Sequence, residues 1–243
     1  MLVKKISFYK IPSRKIIQSM KLNNFSLITP KLMHLDTCPL SRLRFLDSYN
    51  NLPIDIMKGS VPTRLRRYAN FHVKKEDNDY NIYYTGKLDF IQDVVDYRNE
   101  LRIFEPMEEH FFKDKFITSL LEKSVLLCLI NNNGFPDIDI SLHQVRQICY
   151  PGIESHNSPE GIHQDGADYI ISALVMNYKN IVGGESIIYD ENKEEIYRRT
   201  LNKDQGIFQE DRKLWHYVTP IQCSSNNLLG YRDIIGIDIN INN

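Results

Sequence analysis

The second half of the chain carries six short runs rich in Ile, Val and Tyr, and their regular spacing constrains the fold more than any other feature. Turn-forming pairs such as Pro151-Gly152 and Gly183-Gly184 separate the runs. Regularly spaced short strands with such turns are typical of an all-β sandwich or barrel. The sequence therefore predicts a β-barrel core with strands near 140–150, 168–177, 186–190, 205–209, 214–218 and 231–241.

The last run fixes which side chains share a face. Successive side chains of a strand point to opposite faces, so residues two apart lie together. One predicted face is uniformly apolar and the other carries a basic residue. The first face holds Ile235, Ile237, Ile239 and Ile241, and the second holds Arg232, Ile234 and Gly236.

The first half of the chain is less regular. A helical period of apolar residues over 108–129 predicts a helix packed on the sheet, and a second helical stretch is expected over Leu88–Leu101. The expected fold is mainly β with flanking helices. We expect one domain over 1–243, in which 1–137 is a mixed α/β support and 138–243 is the core that carries the metal site.

Charge, cysteine content and hydropathy narrow the function classes. The 30 basic and 31 acidic side chains give a net charge of −1, which provides no general attraction to nucleic acid. Seven Lys or Arg precede Asp36; a surface strand or arm is favoured over a targeting peptide, because the apolar segment and cleavage site of a signal peptide are missing. No apolar run approaches a membrane span. Four dispersed cysteines without a CxxC pair argue against a zinc knuckle and favour the cytoplasm. The sequence carries no signal for the oligomeric state.

Three residues form a candidate metal site. His163 and Asp165 are two residues apart, so an extended backbone places both on one side. His216, on a neighbouring predicted strand, completes a set of two imidazoles and one carboxylate, which suits Fe(II) and leaves coordination positions open for an oxo acid and dioxygen. A second His-x-Asp copy, His34 and Asp36, is interpreted as a surface coincidence because no predicted barrel surrounds it.

Arg232 is the candidate for binding an anionic cosubstrate. It lies 16 residues after His216 and is expected to face the same interior as Ile234. A buried guanidinium needs an anionic partner and matches a carboxylate in a bidentate manner. The distal carboxylate of 2-oxoglutarate is one candidate partner. A salt bridge with Asp233 or another carboxylate is the structural alternative.

Several segments resemble one known family. The metal motif, His216 and Arg232 resemble the iron(II)/2-oxoglutarate-dependent dioxygenases, and the surrounding residues over about 60–241 are similar to a small bacterial branch that contains free L-isoleucine 4-hydroxylase and related aliphatic amino-acid hydroxylases. The segments that carry this resemblance are Leu142–Arg146, Pro159–Gly166, Asn180–Glu185, His216–Pro220 and Tyr231–Asp233, and more loosely Arg64–Tyr68 and Arg102–Phe104.

The resemblance implies a double-stranded β-helix (jelly-roll, cupin-like) core with Fe(II), 2-oxoglutarate and O2 as cofactor and cosubstrates. It also implies that Gln144 and Arg146 face inward, with Gln144 near the cosubstrate and Arg146 near the substrate. The alternative orientation of this strand, in which His143 and Val145 face the interior instead, is equally compatible with the sequence pattern. Arg66, in a basic cluster, is the other candidate for the substrate carboxylate.

The function implied is hydroxylation of an unactivated carbon of a free, aliphatic L-amino acid, with release of succinate and CO2. A small, closed pocket with an arginine would favour this substrate class. A wide site mouth would instead favour a peptide, a carrier-bound amino acid or a natural-product scaffold. A non-catalytic sensor that binds metal or 2-oxoglutarate is the alternative outside enzymes.

Overall fold

The computed structural model describes residues 1–55, 63–77, 79–90, 102–132, 137–225 and 228–242. The helices are α1 (Arg14–Asn23), α2 (Pro30–Met33), α3 (Pro39–Ser48) and α4 (Lys115–Asn131), with single 3-10 turns at Tyr49–Asn51, Glu109–Lys113 and Asp211–Lys213. The strands are β1 (Leu2–Lys5), β2 (Phe25–Ile28), β3 (Arg64–Glu76), β4 (Asp79–Tyr84), β5 (Asp89–Phe90), β6 (Arg102–Ile103), β7 (Asp137–Cys149), β8 (Tyr169–Lys179), β9 (Ile181–Gly183), β10 (Glu185–Tyr189), β11 (Glu195–Thr200), β12 (Gly206–Glu210), β13 (Trp215–Val218), β14 (Ile221–Cys223) and β15 (Gly230–Asn242).

The main sheet has eight antiparallel strands in the order β1-β4-β3-β7-β15-β8-β12-β2. Strands β7 and β8 follow each other in sequence, yet β15 lies between them and pairs with both. All six predicted strands are present within three residues of their expected bounds. The short strands β9, β11 and β14 were not predicted from the sequence.

Smaller sheets cover one face of the main sheet. Strands β11, β10 and β13 form one of them, and β14 pairs with β9. Val145 and Ile234 of the main sheet pack with Ile188 of β10 in one apolar cluster, so the two layers share a core. This mainly β arrangement is the double-stranded β-helix expected from the sequence resemblance.

The other face of the main sheet packs against α4. The helix is buried almost all round, and its N-terminus is capped by Asp114, whose carboxylate accepts the Phe116 N–H at 2.9 Å. Ile235, Ile237 and Ile239 belong to this core, as the alternation predicted. The predicted helix over 108–129 is one helix preceded by a 3-10 turn, because the Asp114 cap starts the α-helix at Lys115.

The first half of the chain contributes to the same sheet. Because β1, β2, β3 and β4 pair within the main sheet, the sheet crosses the predicted division at residue 137; the domain organisation itself stays a prediction. Of the helical stretch predicted over 88–101, residues 89–90 are strand and residues 91–101 lie outside the described part. Within the described ranges, no helix is long and apolar enough to cross a membrane.

Candidate metal centre and its cavity

Three side chains predicted to bind metal meet between the two layers. The Asp165 carboxylate lies 3.5 Å from His163 Nε2 and 3.4 Å from His216 Nε2. One potential ligand atom from each residue falls within 4.8 Å of the others. Both imidazoles are buried, and 19% of the Asp165 side chain is exposed. Two imidazole nitrogens and one carboxylate oxygen that converge in this way fit Fe(II) as a three-residue facial set.

The backbone brings the two histidines together. His163 and His216 exchange both backbone hydrogen bonds, at 3.0 and 2.9 Å, so the two rings lie side by side. His163 forms only this isolated bridge, and Asp165 follows in a loop rather than on a regular strand. Gly161 and Gly166, with φ of +83° and +85°, supply the left-handed turns that flank the motif.

Hydrogen bonds at the second ring nitrogen orient each imidazole. His163 Nδ1 lies 2.9 Å from the Gly161 carbonyl oxygen, so an Nδ1–H donor leaves the lone pair of Nε2 for a metal. His216 Nδ1 faces the Gln209 amide at 3.4 Å and the Asp211 carboxylate at 3.6 Å. Asp211 also accepts the Gly166 N–H at 2.8 Å. The loop that carries His163 and Asp165 is therefore connected to the residue that contacts the His216 ring.

The electrostatics favour an ionised Asp165. Burial alone would raise its pKa, but the charge of His216 and hydrogen bonds from both histidines hold the pKa well below its usual range. Asp211 behaves in the opposite way: burial dominates and raises its pKa to about 7. The carboxylate at the metal position is therefore available as an anionic ligand.

Arg232 lies on the inward face of β15, as predicted. Only 3% of it is exposed, and its Nη2 atom has no hydrogen-bond partner within the described part of the chain. The alternative partner Asp233 points to the other face and forms a bidentate pair with Arg146. Gly184 approaches so closely that a Cβ there would lie 3.1 Å from Arg232 Nη1. An orphaned, buried guanidinium of this kind fits an absent carboxylate such as the distal one of 2-oxoglutarate.

A cavity of about 130 Å³ adjoins the metal site, and one wall is basic. Arg64 and Arg102 each donate to Asp55 at 2.7 Å, and Arg66 Nε lies 3.3 Å from the same carboxylate. Burial would raise the pKa of Asp55, but the three guanidinium charges lower it. The three guanidinium groups surround this carboxylate, and the carboxylates of Glu160 and Asp238 also act on Arg64 and Arg66.

Arg66 is held in place by an aromatic ring and a histidine. Its guanidinium lies 4.8 Å from the Phe104 ring centroid, and Arg102 lies at 4.7 Å from the same ring. Arg66 Nη1 contacts His143 Nδ1 at 3.4 Å, and His143 Nε2 contacts Asp238 at 3.2 Å. Burial and the Arg66 charge hold the pKa of His143 well below its usual range, so the ring is neutral. His143 therefore links Arg66 to Asp238.

The inward orientation expected for Gln144 and Arg146 is wrong. His143 and Val145 of β7 line the cavity, so their neighbours face the other side of the sheet. There Gln144 donates to Ser48 Oγ at 2.7 Å, and Arg146 pairs with Asp233 and Asn50. Neither side chain is brought to the site.

The second His-x-Asp copy lies away from the metal site. His34 is exposed at the end of α2, where its Nδ1 contacts the Ile11 carbonyl at 2.9 Å. Asp36 accepts the Cys38 N–H at 3.1 Å. This copy belongs to local turns, as expected. Sequence reasoning missed Asp55, Glu160 and Asp238; only the segment Pro159–Gly166, quoted for the resemblance, pointed near one of them.

Comparison with known families agrees with this geometry. A model of the 2OG-Fe dioxygenase family matches residues 46–238, which include the three convergent side chains, Arg232 and the basic wall. The chain belongs to the 2OG-Fe dioxygenase family. This dioxygenase therefore uses Fe(II), 2-oxoglutarate and O2, and His163, Asp165 and His216 form its candidate iron site.

Solved structures share the fold of this dioxygenase over nearly its whole length. IDO from Bacillus thuringiensis is 19% identical with a TM-score of 0.79, covering 94% of this chain and 98% of that one. A bsmA homolog from Methylobium petroleophilum PM1 is 19% identical with a TM-score of 0.80, covering 97% and 96%. TqaL, an Fe(II)/α-ketoglutarate-dependent dioxygenase, is 14% identical with a TM-score of 0.70, covering 93% and 86%. No curated protein matches the chain.

Proposed function

We propose that this dioxygenase hydroxylates a free, aliphatic L-amino acid at an unactivated carbon, with release of succinate and CO2. His163, Asp165 and His216 hold Fe(II), Arg232 binds the distal carboxylate of 2-oxoglutarate, and Arg66 binds the substrate carboxylate. The cytoplasmic location predicted from the cysteine content belongs to the same proposal.

The basic wall of the cavity is the observation that carries the substrate class. Arg64, Arg66 and Arg102 cluster around the Asp55 carboxylate, and a buried guanidinium whose donors are not all satisfied favours an anion. Arg66 Nε is buried without a hydrogen-bond partner among the described residues. A small anionic substrate supplies the missing partner.

The size and the remaining lining favour a small aliphatic substrate. The cavity of about 130 Å³ also exposes apolar side chains close to the metal site, so a short hydrocarbon chain is accommodated there. These apolar residues are Val145, Ile171, Val218 and Ile234. In a carrier-bound amino acid, and in every residue of a peptide except the last, the α-carboxylate is consumed in an ester or amide, which removes the charge that the basic wall recognises.

Each residue has a distinct task in this reaction. The iron and 2-oxoglutarate, when bound, supply the oxidising power for C–H hydroxylation, coupled to decarboxylation of the oxo acid. Arg232 orients the cosubstrate from the depth of the barrel. Arg66 holds the substrate by its carboxylate, so that one carbon of the side chain faces the metal site. The apolar lining excludes water from that carbon.

Succinate formation tests the proposal. Purified protein with Fe(II), 2-oxoglutarate and ascorbate is supplied separately with each free L-amino acid. We expect succinate to rise with an aliphatic amino acid and the product to gain one oxygen atom. Slow succinate formation that no amino acid accelerates would contradict the substrate class and redirect the search to peptide or carrier-bound substrates. No succinate at all from iron-loaded protein would favour the sensor.

A further inference from the structure

The inward face of β15 lacks a side chain at one position, Gly236. Side chains two apart share a face of a strand, so Arg232, Gly236 and Asp238 belong to one inward row. Gly236 and Asp238 both line the cavity beside the metal site. The sequence neighbours Ile235 and Ile237 are 0% exposed, whereas Gly236 keeps part of its surface exposed. Because Gly236 lies in the middle of the main sheet, this exposed surface faces the cavity.

The backbone does not require a glycine at this position. Gly236 does not have the positive φ that makes glycine necessary. Ile235 pairs with Leu174 of β8. Ile237 pairs with Ile171, so two residues of β8 lie opposite Gly236 and the bulge belongs to β8. On its other side β15 pairs with β7 without any shift of register.

The neighbouring atoms leave room for a side chain. A Cβ built on Gly236 would lie 3.7 Å from the His143 Cβ and 3.9 Å from the Ile171 carbonyl oxygen, which are ordinary van der Waals distances. At Gly206 of β12, by contrast, a Cβ would lie 2.7 Å from the Ala173 carbonyl oxygen. A glycine inside a strand marks a bulge, or a close approach of another backbone or of a ligand. Neither a bulge in β15 nor a close backbone occurs at Gly236, so a ligand is the remaining explanation.

Gly236 lies at the end of the cavity that the basic wall forms. It pairs with His143 of β7, the residue that links Arg66 to Asp238. Arg232 is four residues away along β15, which is about 13 Å in an extended strand. The space over Gly236 therefore adjoins the proposed site of the substrate carboxylate, while the cosubstrate anchor lies at the far end of the inward row.

We propose that Gly236 determines the size of the amino acid that this dioxygenase accepts, because the hydrocarbon chain of the substrate occupies the space that a side chain at Gly236 would fill. This inference rests on the proposed function and names a residue that sets its specificity. A methyl group at this position competes with the substrate for the same volume. One methylene group in an apolar pocket changes selectivity about 10- to 200-fold.

Ligand binding without turnover tests the role of Gly236. Protein loaded with Fe(II) and 2-oxoglutarate is titrated under anaerobic conditions with L-alanine, L-valine and L-isoleucine. We expect the wild type to bind L-isoleucine most tightly. Gly236→Ala should weaken L-isoleucine binding about 10-fold or more and leave L-alanine binding within about threefold, and Gly236→Val should extend the loss to L-valine. The melting temperature of Gly236→Ala should not fall, since alanine adopts this extended backbone without strain.

Gly206→Ala provides the matched control. It makes the same substitution in the same sheet, but Gly206 does not line the cavity, and the added Cβ meets the Ala173 carbonyl oxygen. This variant should melt at a lower temperature than the wild type and keep the wild-type order of affinities. The two glycine substitutions thus separate a change in stability from a change in specificity. The same shift of preference in Gly206→Ala would make the effect a general disturbance of the sheet and overturn the inference.

The remaining outcomes separate this inference from the proposed function. A wild type that binds free amino acids without favouring L-isoleucine over L-alanine, or a Gly236→Ala variant that keeps the wild-type preference, would overturn the role of Gly236 and leave the substrate class intact. Weakened 2-oxoglutarate binding in Gly236→Ala would place the cosubstrate over Gly236 and also overturn the inference. A wild type that binds no free amino acid would overturn the proposed function itself.

Discussion

Replacing Arg232 by methionine should stabilise the cofactor-free protein and abolish its response to 2-oxoglutarate. Arg232 is buried, its Nη2 is unpartnered within the described residues, and burial lowers its pKa to about 10, from an ordinary value above 12. At about 1.4 kcal/mol per pKa unit, this corresponds to about 3 kcal/mol of stability lost by holding the charge inside. Methionine fills a similar volume without the charge.

The sign of the effect follows from the direction of the pKa change. A base whose pKa is lower in the folded state destabilises that state at every pH below the folded pKa, and the cost disappears only as the pH rises towards the unfolded value. Near neutral pH the whole cost is therefore present. Its removal should raise the melting temperature of the cofactor-free protein by about 6–12 °C at most, since 1 kcal/mol is about 2–4 °C for a domain of this size.

Thermal melting with and without ligand measures both effects. In the wild type, 2-oxoglutarate with Fe(II) under anaerobic conditions should add stability by mass action, about 2.7 kcal/mol at 100-fold excess over Kd. In Arg232→Met this increment should vanish. A variant that melts well below the wild type without ligand, or that keeps the wild-type response to 2-oxoglutarate, would refute the reasoning.

Arg146 on the neighbouring strand provides the matched control. Its guanidinium forms a bidentate pair with Asp233, which is only 1% exposed. Arg146→Met leaves that carboxylate buried without its partner, at a cost of about 3–5 kcal/mol. The same substitution should therefore lower the melting temperature at Arg146 and raise it at Arg232, while the Arg146 variant keeps its response to 2-oxoglutarate if it is measured below its melting range.

Three further predictions concern the metal, the cosubstrate and pH. His163→Ala should lose Fe(II) binding in an anaerobic titration, and wild-type affinity would contradict the ligand assignment. Gly184→Ala places a Cβ 3.1 Å from Arg232 Nη1 at a φ of +70°, so the 2-oxoglutarate concentration for half-maximal activity should rise about 10-fold with unchanged iron affinity; an unchanged requirement would show that Arg232 is not displaced. Asp55→Asn should cost about 3–5 kcal/mol near neutral pH, because Asp55 has a lowered pKa and its contribution is present above a carboxyl pKa of about 4. Urea unfolding should show this difference shrinking as the pH falls below that value, and a pH-independent difference would contradict the role of its charge.

The sequence predicted best where one face of a strand is buried in a distinct apolar layer. In β15 the alternating isoleucines pack on α4, and this pattern gave the inward direction of Arg232. In β7 both faces are covered, and the segment Ser141–Val145 is buried on both sides with polar residues on each. The hydropathy pattern of β7 therefore does not show which side chains face the cavity, and the predicted inward orientation of Gln144 and Arg146 was wrong.

The metal ligands were predictable because their residue types and spacing form a recognisable local pattern. The residues of the cavity walls form no such pattern and were not predicted. Asp55 reaches Arg64 and Arg102 across 9 and 47 residues of sequence, a pairing that only the folded sheet creates. Glu160 lies three residues before His163, but its inward direction depends on the turn at Gly161. Local patterns therefore identified the reacting centre, while recognition of the substrate depends on tertiary contacts.

The position of β15 also has a consequence for how the molecule is assembled. Strands β7 and β8 are synthesised one after the other, but the position between them in the sheet is filled only when residues 230–242 pair with both. Before that moment two long strand edges have unsatisfied backbone groups, which is the condition that favours wrong pairing between chains. Closure of the sheet is thus an insertion step that joins distant segments, which makes folding slow. A separate 13-residue peptide with the β15 sequence should accordingly complete a chain that stops before residue 230.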